Sequence, residues 1–128
     1  MTIRIVRLGS EREKGEGLRV GTVRRPPRGV KKENLAKEDW YDVWLPQLAP
    51  SAELVKTAQS ATTQREWDAF ARKYRAEMHA PDNARLLALL AALSHQTKLA
   101  AGYYCQDENH CHRSVLRELL RENGASVE

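Results

Sequence analysis

The stretch KLAAGYYC, Lys98 to Cys105, is apolar and carries no charge after its first residue. It is bounded on both sides by segments of helical period. Before it, Leu86, Leu87, Leu89, Leu90 and Leu93 give a wide apolar face to a helix opened by Pro81-Asp82. After it, Val115, Leu116, Leu119 and Leu120 form the apolar stripe of a helix over His110–Glu122, stopped by Asn123-Gly124. A buried strand set between two helices calls for a largely parallel sheet, because helical crossovers cover its faces. The expectation is an α/β fold: a small two-layer or three-layer sandwich with a short, largely parallel sheet of three or four strands flanked by helices. In such sheets ligands sit beyond the carboxyl ends of the strands.

The rest of the chain fits that frame. Thr2–Leu8 alternates apolar and polar residues and reads as a strand, as does Leu18–Val23. Arg24 to Gly29, RRPPRG, cannot stay in a ladder because two prolines remove two backbone donors, so it is a stiff, basic loop. Trp40, Tyr41, Val43, Trp44 and Leu45 are expected to pack on the core in irregular or short helical form. Ser51 is placed to cap a helix running to about Gln59. Thr63-Gln64-Arg65-Glu66 is a capping box, and Trp67, Phe70, Tyr74 and Met78 follow on one stripe that reads as core. Arg72, Lys73 and Arg75 read as the solvated face of that helix. Gly124 to Glu128 is expected to fray.

At 128 residues the chain fits one domain, 1–128, that can bury a core without disulfide or metal staples. Apolar residues make up 41% and charged residues 30%, which excludes disorder. The longest apolar run, Leu86–Leu93, is far too short to span a bilayer, and MTIRIVRLGS is no signal peptide. A cytoplasmic location and no membrane partner are therefore expected. Two cysteines make no disulfide framework, and Cys105 reads first as a buried thiol at a strand end. The net charge of +4 permits contact with phosphates or nucleic acid without requiring it.

Chemistry concentrates in CQDENHCHR, Cys105 to Arg113, which follows the buried strand. If that strand and Leu18–Val23 are parallel neighbours, CQDENHCHR and RRPPRG lie on the same rim. Three readings compete there. A helix N-terminus attracts anions through its free N–H groups, yet His110, His112 and Arg113 are cations at that end. Asp107 and Glu108 could compensate them internally. A bound phosphate, sulfate or carboxylate could too, joined by Arg24, Arg25 and Arg28. A metal reading draws on Cys105, Cys111 and His112, a set zinc would accept. The spacing C-x5-C is unusual for zinc, and side chains at ~100° intervals on a helix cannot all face one ion. A thiol reading notes H-C-x5-R, His110-Cys111 with Arg117, as in cysteine-dependent phosphatases. The loop has no glycine, and Val115 and Leu116 belong to a helix core, so that match is accidental. Cys111 at a helix start remains a candidate reactive thiol. His79 and His95 read as solvated surface histidines.

Four blocks in order, GEGLRVGTVRRPPRGVKKENL, WLPQLAPSAEL, WDAFARKYRAEM and CQDENHCHRSVLREL, resemble the YeaO-like proteins, the family of domain of unknown function 488. The resemblance covers about Ile3 to Leu120. LAPSAEL, Leu48 to Leu54, is close to the family's common form, as is F-x3-Y-x2-E at Phe70, Tyr74 and Glu77. The D-R-L-W-P-R-G run typical of the YeaO branch is matched here at Arg24, Pro27, Arg28 and Gly29, without its acidic residue and tryptophan. Cys105 and Cys111-His112-Arg113 are similar to the C-x-E…C-H-R ending of the wider family. The resemblance implies a small α/β domain. It supports Arg24, Arg28, Cys105, Cys111, His112 and Arg113 as site candidates, with Tyr74 and Glu77 behind them.

The expectation drawn from these readings is a basic pocket for a small anionic, phosphate- or nucleotide-like ligand at the carboxyl rim of the sheet. Arg24, Arg28 and Arg113 would hold the anion. His112 would act as donor or proton carrier, and Cys111 as nucleophile or redox-sensitive thiol. Cys105, Tyr74 and Glu77 would support them. No cofactor is expected. The alternatives are a nucleic-acid- or protein-binding regulatory module, and a zinc site on Cys105, Cys111 and His112.

Overall fold

The computed structural model describes residues 1–104 and 111–128. Within them the strands are β1 (Ile3–Arg7), β2 (Leu18–Gly21), β3 (Val43–Trp44) and β4 (Leu99–Tyr103). The helices are α1 (Ala52–Ser60), α2 (Gln64–Met78), α3 (Pro81–Leu93) and α4 (His112–Glu122). The strands form one sheet in the order β1-β4-β2-β3, and every pairing is parallel. The α/β expectation holds, with β4 in the interior of the sheet.

Short-range chemistry sets the helix starts. Ser51 accepts from the Leu54 N–H at 3.3 Å and opens α1. Thr63 accepts from the Glu66 N–H at 3.1 Å, and its hydroxyl donates back to the Glu66 carboxylate at 3.0 Å. Gly124, at φ +88°, ends α4 in the left-handed conformation that glycine adopts without strain.

The two faces of the sheet are covered differently. Ile3, Ile5, Val20, Leu99 and Ala101 face all four helices, meeting Leu54, Phe70, Tyr74, Met78, Leu87, Leu90, Val115, Leu116, Leu119 and Leu120. The opposite face carries Val6, Leu8, Val23 and Ala100, and it is closed by Tyr41 with Leu35 and Trp40 from the 24–42 loop. The sandwich is therefore two-layered, with a loop layer where a three-layer fold would have helices. The Trp40–Leu45 cluster divides accordingly. Tyr41 is buried against Gly21, but Val43 and Trp44 form the edge strand, and Trp44 is 43% exposed with its indole N–H donating to the Val23 carbonyl at 2.6 Å.

The tail returns to the sheet. Ile3 N–H donates to the Ser126 carbonyl at 2.8 Å, and Glu128 N–H donates to the Ile3 carbonyl at 3.0 Å. Val127 bridges to Ile3 in parallel and packs on the core, so residues 126–128 lie along the free edge of β1. No local pattern marks a strand there, because pairing to a distant edge supplies the order.

Candidate functional site

Since β2 and β4 are parallel neighbours, RRPPRG and Tyr103-Tyr104 lie at the same rim of the sheet. A cavity of about 910 Å³ opens there. Its cationic lining is Arg7 from the end of β1, Arg24, Arg25 and Arg28 from the basic loop, and Lys56 from α1. Among the described lining residues there is no Asp or Glu, so those residues present one sign of charge. Trp40, Tyr103 and Tyr104 supply flat apolar wall. A second cavity of about 360 Å³ adjoins it and shares Val55, Gln59, Tyr103 and Tyr104. Its own lining is Pro50, Ala58, Trp67, Phe70, Cys111 and His112.

Side-chain alternation along a strand explains how one Tyr-Tyr pair serves both cavities. Tyr103 turns to the helix side, where its ring meets His112 edge-on at 4.4 Å between centroids. Tyr104 turns to the loop side and meets Trp40 edge-on at 5.7 Å. The two tyrosines touch at 5.2 Å. His112 then meets Tyr74 at 5.2 Å, Tyr74 stacks on Phe70 and Phe70 on Trp67. A continuous run of rings thus links the basic cavity to the small apolar one.

Cys111 is the N-cap of α4 and His112 its first residue; both are 2% exposed. Negative charge on Cys111 and on Glu77 adds to burial in pushing the Tyr74 phenol well above its ordinary range, so Tyr74 stays a proton donor. Burial likewise raises the Tyr104 phenol, whose hydroxyl donates to the Arg25 carbonyl at 3.1 Å and ties the basic loop to β4.

Three of the sequence candidates prove to grip one segment. Arg24 donates to the carbonyls of Ala49 and Pro50 at 3.1 and 3.2 Å. Tyr74 donates to the Leu48 carbonyl at 2.7 Å, and the Glu77 carboxylate accepts from the Ser51 N–H at 2.9 Å. Leu48-Ala49-Pro50-Ser51, which leads into α1, is held at every residue. Tyr74→Phe removes one grip and strands a buried carbonyl. The expected cost is about 1–3 kcal/mol in urea unfolding, against no measurable change if the tyrosine is only core filler.

Arg24 and Arg28 line the basic cavity, and Cys111 and His112 line its neighbour. Arg113, expected beside Arg24 and Arg28, lines neither: it is 4% exposed, buried with α4. Arg117, the last residue of H-C-x5-R, sits within α4 and donates to the Glu128 carbonyl at 2.8 Å, away from both cavities. Cys105 and His110, with Asp107 and Glu108, lie outside the described residues, Cys105 being one of the three zinc candidates. Among the described residues no three His, Cys, Asp or Glu side chains cluster as metal ligands. Arg7 and Lys56 had no sequence signal. Tyr103-Tyr104 had one, an aromatic pair at the carboxyl end of a buried strand.

A family model described as the active DUF488-N3 subclade matches residues 3–124. No curated protein and no solved structure gives a match. Among the described residues no helix is long and apolar enough to cross a membrane.

Proposed function

The chain belongs to the DUF488 family, and from the geometry of its sheet rim we propose that it binds a small phosphate-bearing, nucleotide-like ligand across the two joined cavities. The phosphate lies among Arg25, Arg28 and Lys56 in the basic cavity. The flat body of the ligand runs along Tyr103 and Tyr104 toward Cys111 and His112. The observation that carries this reading is the shared Tyr103–Tyr104 wall between a cavity whose described charged residues are all basic and an apolar one. Phosphate groups want convergent guanidinium donors, and nucleobases want aromatic faces. Arg24 is already committed to the Ala49 and Pro50 carbonyls, so it shapes the cavity and contributes charge more than reach.

Calorimetric titration with adenosine 5′-monophosphate, pyrophosphate and adenosine tests it. The monophosphate is expected to bind, adenosine much more weakly, and added salt to weaken the monophosphate. Arg28 is exposed and makes no hydrogen bond or ion pair to the described residues. Arg28→Ala should therefore leave unfolding unchanged and cost about tenfold or more in affinity, the loss of one charge-assisted contact. Wild-type protein that takes up neither monophosphate nor pyrophosphate at millimolar concentration would overturn the reading.

A further inference from the structure

Thr22 lies two residues before RRPPRG, at the end of β2, and is fully buried. Its Oγ1 is 2.8 Å from the Gly102 carbonyl oxygen and 3.1 Å from Nε2 of His112. A hydroxyl has one hydrogen to give. A carbonyl oxygen can only accept, so at 2.8 Å the Thr22 proton belongs to Gly102; otherwise two sets of lone pairs would face each other. Thr22 Oγ1 is then an acceptor, and Nε2 of His112 must carry the hydrogen. The imidazole is held as the Nε2–H tautomer, its ring wedged edge-on between Tyr74 and Tyr103. Nδ1 makes no hydrogen bond to the described residues, although His112 is only 2% exposed and lines the smaller cavity.

We infer that Thr22 is a positioning residue for His112, and that the smaller cavity thereby presents Nδ1 as the acceptor for an N–H or O–H group on the buried end of the ligand. The inference rests on the proposed ligand site in taking this cavity as the one that is filled. It adds the chemistry of the buried end: a flat, apolar body carrying a hydrogen-bond donor. A ligand bearing only an acceptor at that end would set lone pair against lone pair.

The test reads the ring nitrogens of His112 directly, in full-length protein without ligand, at about pH 8, where an ordinary imidazole is neutral. Long-range proton–nitrogen correlation spectra separate the two tautomers. The other histidines are identified by removing them singly, with His79→Gln, His95→Gln and His110→Gln. Wild-type His112 is expected to show a protonated Nε2 and a bare Nδ1. Thr22→Val, which keeps the shape and removes the acceptor, is expected to give mixed tautomers, and Thr22→Ser to restore the wild-type pattern. A bare Nε2 in wild-type protein overturns the inference outright, with or without a folded valine variant, and so does an unchanged pattern in a folded Thr22→Val. Neither result touches the titration with adenosine 5′-monophosphate, so the failure of one proposal is distinguishable from the failure of the other.

Discussion

Arg19→Ala is expected to cost about 3–5 kcal/mol of folding free energy, the range for breaking one half of a buried ion pair. The Arg19 guanidinium is fully buried on the face of the sheet that no helix covers. Nε and Nη2 donate to the two oxygens of Glu16 at 3.0 and 2.9 Å. Nη1 donates to the carbonyls of Ser10 and Asp39 at 2.9 and 2.7 Å. One planar fork therefore ties the 9–17 loop and the 24–42 loop to β2. Arg4, at 3.3 Å from Glu16 and partly exposed, is a poor replacement for the lost charge. Arg19→Lys is expected to recover only part of the loss, because an ammonium cannot reproduce a bidentate fork. The paired change Arg19→Met with Glu16→Met should be milder than Arg19→Ala alone, since no buried charge is left without its partner. Urea midpoints measure all three. An Arg19→Ala variant within about 1 kcal/mol of wild type would mean the loops hold without the fork.

Gly102→Ala is expected to be at least as damaging, about 4 kcal/mol or more, or to yield no folded protein. Gly102 sits inside the sheet, opposite Val6 of β1 and Gly21 of β2. A Cβ there would come to 2.3 Å from the Val6 carbonyl oxygen and 2.9 Å from Val6 Cγ2. The first of these atoms is backbone and cannot swing aside, so β1 must move off β4. The same residue serves the site: its carbonyl accepts from the Thr22 N–H at 2.9 Å and from the Thr22 hydroxyl at 2.8 Å. Any Gly102→Ala protein that folds should therefore also show a disturbed His112 tautomer. Thermal unfolding and the nitrogen spectra check both parts. A variant as stable as wild type, with an undisturbed imidazole, would mean the sheet opens to admit a methyl group without consequence.

Much of the architecture was legible because it depends on neighbours in the chain. A period of two marks β1 and a period near 3.6 marks α2, α3 and α4, and both follow from where successive side chains point. Ser51, Thr63 and Gly124 mark helix ends because orphaned N–H and C=O groups must find partners within a few residues. The rim of the sheet as the place for a site followed from strands that run parallel. Arg19 shows where such reasoning stops. In LRVG it reads as the outward polar residue of an alternating strand, and only the two loops folded over that face make it a buried ion-pair partner. Arg113 shows the complementary limit: it follows His112 in sequence, but helical rotation buries it, and it is not among the residues lining either cavity.

Local pattern was therefore enough for the largely parallel α/β plan and the helix boundaries to within a few residues, and it put RRPPRG and Cys111-His112 on one rim once β2 and β4 pair in parallel. It took the folded chain to bring Arg7, Lys56 and the Tyr103–Tyr104 pair beside them, to set Arg24 on the segment before α1, and to bring the Thr22 hydroxyl within 3.1 Å of His112 Nε2. The reason is one of range. Periodicity and capping are settled by contacts a few residues apart. The cavity and the hydroxyl–imidazole contact join groups up to 97 positions apart, brought together when separate strand ends stack side by side.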